Sequence, residues 1–200
     1  ATIIFVMSNQ LFDTSKSLLQ SIEHHLLIDH GIKLFIKRDD LIHPIISGNK
    51  WRKLSGILAN YKTEEYKSIT TYGGAYSNHL VATACATAIW GIQSKAIIRG
   101  EEIKELSPVL QLCKLYGMQL EFVSREEYKN AKRETGIVDE VLFVPEGGAC
   151  SEGTIGCKTI LAEENLEQFS KVFVSCGTGT TLAGMANYLK QKNSNVSLIG

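Results

Sequence analysis

Ile46-Ser47-Gly48-Asn49-Lys50-Trp51-Arg52-Lys53-Leu54 is the stretch on which the fold turns, a glycine-containing turn that runs straight into a helix. At 3.6 residues per turn, Leu54, Ile57, Leu58 and Tyr61 make one apolar stripe, and Lys50 stands on it one turn ahead of Leu54. Arg52 and Lys62 fall elsewhere on the wheel. An ammonium taken out of water loses its proton or acquires a partner. A neutral lysine amine attacks a carbonyl carbon and forms a Schiff base. The plain alternative is a lysine in the first helical turn that snorkels along its own stem to solvent.

Outward from that helix, strands and helices alternate. Residues 33–37 read as a strand and 41–47, with Pro44, as a loop. Strands are expected over 68–72, 95–98, 120–123, 141–144, 172–176 and 196–199. Helices are expected over 49–61, 78–90, 107–116, 125–134, 154–169 and 180–190. Residues 1–30 carry no clear pattern. Short strands alternating with longer helices predict an α/β fold of open parallel sheets covered by helices on both faces, with ligands beyond the carboxyl ends of the strands. Residues 60–138 are the more charged and 145–184 the richer in glycine. This shift places a smaller domain, 54–143, inserted in a larger one built from 1–53 and 144–200.

Twenty-one basic and twenty-one acidic side chains in 200 residues leave no net charge, which argues against nucleic acid or an anionic membrane as partner. Five dispersed cysteines without a C-x-x-C pair disfavour a disulfide framework or a structural metal site and fit a reducing compartment. Cys150, Cys157 and Cys176 read as small buried hydrophobes. No apolar run has membrane-spanning length, and Ile3-Ile4-Phe5-Val6 is too short for a signal-peptide core. A cytoplasmic protein is expected. The chain starts without methionine and stops after a strand-like segment, so either end is expected to be incomplete.

Three strand-to-helix loops could share a ligand. Gly73-Gly74-Ala75-Tyr76-Ser77-Asn78-His79 combines glycines with polar residues ahead of an apolar helix; Ser77 or Asn78 can cap it, and its exposed amides attract an anion. Cys176-Gly177-Thr178-Gly179-Thr180-Thr181 offers amides and three hydroxyls as a phosphate cradle. It lacks the lysine of a Walker loop and the spacing of a dinucleotide fingerprint. Pro145-Glu146-Gly147-Gly148-Ala149-Cys150 could close a cleft wall. Each is also compatible with an ordinary turn. A reactive lysine, a phosphate cradle and a polar helix start together suggest pyridoxal 5'-phosphate, held by Lys50, with Gly177, Thr178, Gly179, Thr180 and Thr181 on its phosphate and Asn78 at its ring hydroxyl.

Lys37-Arg38-Asp39-Asp40-Leu41, then Ser47-Gly48-Asn49-Lys50-Trp51-Arg52-Lys53-Leu54, then Gly74-Ala75-Tyr76-Ser77-Asn78-His79, resembles the pyridoxal-phosphate family of 1-aminocyclopropane-1-carboxylate deaminase and D-cysteine desulfhydrase. The resemblance runs over about 33–200. It implies a tryptophan-synthase-beta-like, fold type II enzyme, commonly a homodimer, that takes a small amino acid to a 2-oxo acid and ammonia, with sulfide from D-cysteine. Lys50 would be the Schiff-base lysine and general base, and Ser77 a second catalytic group. Asn49 and Asn78 would flank the cofactor, and Ser77, Asn78 and His79 would meet the substrate. The chain departs from the family pattern at Ala149-Cys150, where many relatives carry asparagine or serine, and in length, since family members are longer. Taken as a whole protein, it would be expected to show a weak site and an unpaired sheet edge. Two further readings stay open on the residues: a non-enzymatic homologue acting as a binding or assembly module, and a sugar-phosphate or nucleotide binder in which Lys50 pairs with phosphate.

Overall fold

The charged run Lys37-Arg38-Asp39-Asp40 serves local structure. In the computed structural model, which describes residues 13–102, 104–130 and 134–200, the chain divides into the units Ala1–Gly48 and Asn49–Gly200. In the first, β1 (Leu19–Ile22), α1 (His25–Asp29) and β2 (Leu34–Lys37) follow in order, and β1 pairs antiparallel with β2, Leu19 opposite Lys37. Lys37 Nζ donates to Ser17 O at 2.9 Å, the Ser17 hydroxyl donates to Asp39, and Arg38 pairs with Asp40 at 2.8 Å. These bonds give order to a region without hydrophobic periodicity. The apolar start at Ile3-Ile4-Phe5-Val6 lies outside the described residues.

The second unit opens on α2 (Asn49–Asn60) and continues through β3 (Ser68–Gly74), α3 (Asn78–Trp90), β4 (Gln93–Arg99), α4 (Pro108–Leu115), β5 (Gln119–Val123), α5 (Arg125–Asn130), β6 (Gly136–Val138) and β7 (Val141–Val144). The strands form one sheet in the order β5-β4-β3-β7-β6. β3, β4, β5 and β7 run parallel. The central strand β3 is buried from Ile69 to Gly73, as expected of a strand covered on both faces. α3 is buried from His79 through Thr87 and stops at Gly91 in the left-handed region. Ile57 of α2 packs with Tyr66, Ile69, Leu142 and Val144. Pro108 begins α4, where a missing amide costs no helical bond, and Ser107 Oγ accepts from Leu110 N at 3.2 Å as its cap.

Two strand pairings depart from the all-parallel expectation: β1 with β2, and β6 with β7. β6 joins β7 through Asp139 and Glu140, both at positive φ, 48° and 60°. A two-residue turn of that hand suits a hairpin, but its usual signature is Asn-Gly or Asp-Gly, so Asp-Glu conceals it. The helix expected over 125–134 is α5 as far as Asn130; residues 131–133 lie outside the described residues.

The helix expected over 154–169 is instead α6 (Ser151–Cys157), α7 (Thr159–Ala162) and a separate single turn, Leu166–Gln168. Thr159 Oγ1 donates to Gly156 O at 2.8 Å, and Lys158 N reaches Ile155 O in a tightened turn. Side-chain bonding of this kind competes with the helical ladder. β8 (Lys171–Phe173), α8 (Thr180–Gln191) and β9 (Ser197–Ile199) complete the unit. β8 and β9 pair in parallel over a cluster of Cys157, Ile160, Leu161, Met185 and Leu189.

Glycines bring α2, α6 and α8 together. A Cβ on Gly156 would stand 2.0 Å from Arg52 O, one on Gly56 2.3 Å from Glu152 O, and one on Gly184 2.5 Å from Thr154 O. No larger residue fits at those distances. Beside this seam Arg52, 2 % exposed, pairs with Glu163 at 2.5 Å and donates to Thr159 Oγ1 at 3.1 Å. Arg52 is therefore more deeply buried than Lys50, contrary to the helical-wheel reading.

Candidate functional site

The start of α2, the loop from β3 into α3, the turn after β7 and the loop ahead of α8 converge on one cleft of about 240 Å³. Its lining includes Asn49, Lys50, Ser77, Asn78, His79, Gly177, Thr178, Gly179 and Thr181, all sequence candidates. Thr180 is buried just behind, its Oγ1 3.0 Å from Thr178 Oγ1. Residues from positions 49 to 181 thus meet at the carboxyl ends of parallel strands.

Lys50 is half-buried, and its Nζ donates to Asn49 Oδ1 at 3.1 Å, while Asn49 Nδ2 donates to Thr181 Oγ1 at 2.9 Å. Desolvation first, and the nearby Lys53 charge second, push the Lys50 amine down from 10.5 to about 8. An appreciable fraction is then neutral near pH 8, the form that reacts with a carbonyl.

Lys53 was missed from the sequence, although its position three residues after Lys50 places it on the same helix face. It is 3 % exposed, donates to Gly147 O at 2.9 Å and reaches Thr178 Oγ1 at 3.5 Å. Burial also lowers its pKa. A buried ammonium within reach of the Thr178 hydroxyl, in the loop that leads into the N-terminus of a twelve-residue helix, is suited to a phosphate. Gly147, at φ +65°, lets the turn after β7 bear directly on this loop, because a Cβ there would lie 2.8 Å from Thr178 Cγ2. The wall expected from Pro145 onward is formed by Glu146 and Gly147. Cys150 lies outside the lining; its sulfur accepts from Gly153 N at the head of α6.

Ser77 occupies the cap position of α3 but makes no side-chain capping bond, so its hydroxyl is not committed to the helix. His79 is 1 % exposed. Its Nε2 lies 2.9 Å from Thr71 Oγ1, which is 2.8 Å from Val144 O. The carbonyl can only accept, so Thr71 gives it its one proton and accepts from Nε2–H. His79 Nδ1 is then a bare acceptor, buried without a partner among the described residues. Burial, helped by the Lys50 and Lys53 charges, lowers this imidazole to about 3. It is neutral at physiological pH and serves as a hydrogen-bonding group there rather than a proton donor. Cys157 is buried as expected, but Cys176 is exposed in the cleft lining, a correction to its reading as a small buried hydrophobe. Among the described residues no cluster suited to a metal ion occurs.

These residues fit pyridoxal phosphate: an amine of lowered pKa stands on one wall and an anion cradle with its own lysine on the next. A family model described as pyridoxal-phosphate dependent enzyme matches residues 21–200. The chain is 32 % identical over 184 residues to the bifunctional D-cysteine desulfhydrase/1-aminocyclopropane-1-carboxylate deaminase of Arabidopsis thaliana, covering 80 % of this chain and 45 % of that protein. It is 30 % identical over 191 residues to D-cysteine desulfhydrase of Klebsiella pneumoniae, covering 87 % and 58 %. The crystal structure of a 1-aminocyclopropane-1-carboxylate deaminase homologue superposes with a TM-score of 0.75 at 28 % identity, over 90 % of this chain and 58 % of the other. The chain spans about half the length of the curated relatives it matches. The same fold is seen in maize serine racemase, TM-score 0.68 at 18 % identity.

Proposed function

Since the chain belongs to the family of pyridoxal-phosphate-dependent enzymes, we propose that its cleft acts on a small amino acid of the D-cysteine or 1-aminocyclopropane-1-carboxylate type, releasing a 2-oxo acid and ammonia, with sulfide from D-cysteine. The observation that carries this reading is the half-buried Lys50 amine, held near pKa 8 in the cleft that also contains Lys53 and the Gly177–Thr181 turn. The bound cofactor supplies the electron sink for a carbanion. Lys50 would tether the cofactor, and its amine, held near pKa 8, would move the substrate proton as general base. Lys53, Thr178, Thr180, Thr181 and the amides of Gly177 and Gly179 hold the phosphate. Asn49 orients Lys50 through their hydrogen bond, and Asn78 stands at the cofactor ring. The backbone amides at the start of α3, from Ser77 through Asn78 to His79, receive the substrate carboxylate, and the uncommitted Ser77 hydroxyl is the second catalytic group.

The same proposal includes a cytoplasmic homodimer and an inserted domain at 54–143. The insertion is supported by the five-stranded sheet lying between Ser68 and Val144 while β8 and β9 pair separately. No helix among the described residues is long and apolar enough to cross a membrane. Borohydride reduction of the cofactor-loaded protein should fix the cofactor on Lys50, and Lys50→Ala should abolish the adduct. An adduct of undiminished yield on that variant would sink the assignment. Release of ammonia from D-cysteine and from 1-aminocyclopropane-1-carboxylate separates the two chemistries.

A further inference from the structure

Between β3 and α3 the chain turns on Ala75 and Tyr76. The turn has little apolar anchorage of its own: Tyr76 is 76 % exposed and Ala75 carries only a methyl. Nor is the helix that follows fixed by a cap, since the Ser77 side chain makes no capping bond. On the strand side the turn is closely packed, because a Cβ on Gly73 would stand 3.1 Å from Ser77 Cβ and 3.0 Å from Leu80 Cγ.

From α4 the turn is fastened by Ser107, 32 positions further along the chain. The Ser107 hydroxyl donates to Ala75 O and accepts from Leu110 N at 3.2 Å. An amide N–H can only donate and a carbonyl can only accept, so the single hydroxyl proton goes to Ala75. Ser107 is 4 % exposed, and the helix it heads is firmly seated, with Leu110 and Cys113 both fully buried. α4 packs along α3. One oxygen thus completes the start of α4 and holds the approach to α3.

We propose that Ser107 is a positioning residue for the amino-acid substrate: its bond to Ala75 O holds the first amides of α3 where they receive the substrate carboxylate. The proposal rests on the reading above that the cleft holds pyridoxal phosphate and an amino acid. Ser107 lies outside the cleft lining and acts through the turn alone. Its effect falls on the carboxylate end of the cleft, because the phosphate is held by Lys53 of α2 and by the loop ahead of α8.

The test separates the two bonds of this hydroxyl. Ser107→Thr keeps both; Ser107→Asp keeps an oxygen that caps α4 but carries no proton for Ala75 O; Ser107→Ala keeps neither. Each cofactor-loaded protein is titrated by absorbance with both enantiomers of alanine and with ethylamine, the same amine without a carboxylate. In the wild type and in Ser107→Thr the preferred enantiomer of alanine should bind more tightly than ethylamine. That preference should fall roughly fivefold in Ser107→Asp and Ser107→Ala, as for one lost hydrogen bond, while affinity for ethylamine and for pyridoxal phosphate stays within about twofold. Cys113→Ala, which opens a cavity beneath α4 without touching Ser107, should lower the urea midpoint and leave the preference alone. A preference unchanged in Ser107→Ala or in folded Ser107→Asp, or lowered as much by Cys113→Ala, overturns the assignment and leaves the cofactor reading standing. Should Ser107→Asp not fold, Ser107→Ala set against Ser107→Thr and Cys113→Ala decides. A wild-type protein that takes up no cofactor overturns the reading beneath the assignment, and the assignment with it.

Discussion

Acid should destabilise this protein through His79 in a way that a single substitution removes. The native imidazole is held neutral to about pH 3, whereas in the unfolded chain a histidine takes its proton near pH 6.5. A depressed folded-state value means that the unfolded state binds the extra proton between those limits. Stability from this source is present above pH 6.5 and is lost as the pH falls toward 3. The slope approaches about 1.4 kcal/mol per pH unit, and the integrated loss between about pH 6 and pH 4 is ~2.5 kcal/mol, a large share of an ordinary domain's stability. Lys50 and Lys53, the charges that face the ring, become more fully cationic over that range and do not relieve it. The assay is urea unfolding at several pH values on the wild type and on His79→Gln, whose amide can still donate to Thr71 but does not titrate. His43 and the carboxylates titrate in both proteins and drop out of the difference. The wild-type curve should fall more steeply below pH 6; parallel curves would refute the assigned burial and tautomer.

Other expectations follow from single contacts. Gly156→Ala gains about 1 kcal/mol of helix propensity but places a methyl 2.0 Å from Arg52 O; with an overpacking cost of ~3 kcal/mol, urea unfolding should show a net loss, and a more stable variant would contradict the seam. Glu163→Ala takes from the buried Arg52 guanidinium the carboxylate that pairs with it at 2.5 Å and should cost ~3 kcal/mol. Arg52→Met should cost less, because Glu163 is one-third exposed and can be hydrated; the reverse order in thermal unfolding would be inconsistent with that geometry. Lys53→Met should weaken pyridoxal phosphate roughly tenfold or more while changing pyridoxal, which lacks the phosphate, by no more than about twofold. Equal effects on the two ligands in equilibrium dialysis would remove Lys53 from the cradle.

Much of this was legible in the chain. Lys50 announced itself by standing on an apolar stripe, and the loops at 73–79 and 177–181 by glycines and hydroxyls between a strand and a helix. Their meeting in one cleft follows from parallel strands that deliver their carboxyl ends to the same side. The parts that were not legible depend on distances between segments remote in sequence. Arg52 falls off the apolar stripe and Lys53 went unremarked, because nothing local shows that Glu163 and Gly147 O await them. His79 was legible as a polar residue of the site but its protonation was not, because its tautomer is set by Thr71 and by a carbonyl of β7. The hairpin at 139–140 lacked its usual residues, and the split between α6 and α7 came from Thr159 turning back on its own helix.

The bare backbone of Gly147 beneath Thr178 has a consequence for how such a protein diversifies. Two segments some thirty positions apart in the chain share one contact, so neither can be exchanged without its counterpart. A chimera that imports only the stretch around 145–153 would inherit a mismatch at the anion loop unless glycine is kept at its third position. Residues 145–153 and 175–181 therefore constitute one heritable cassette.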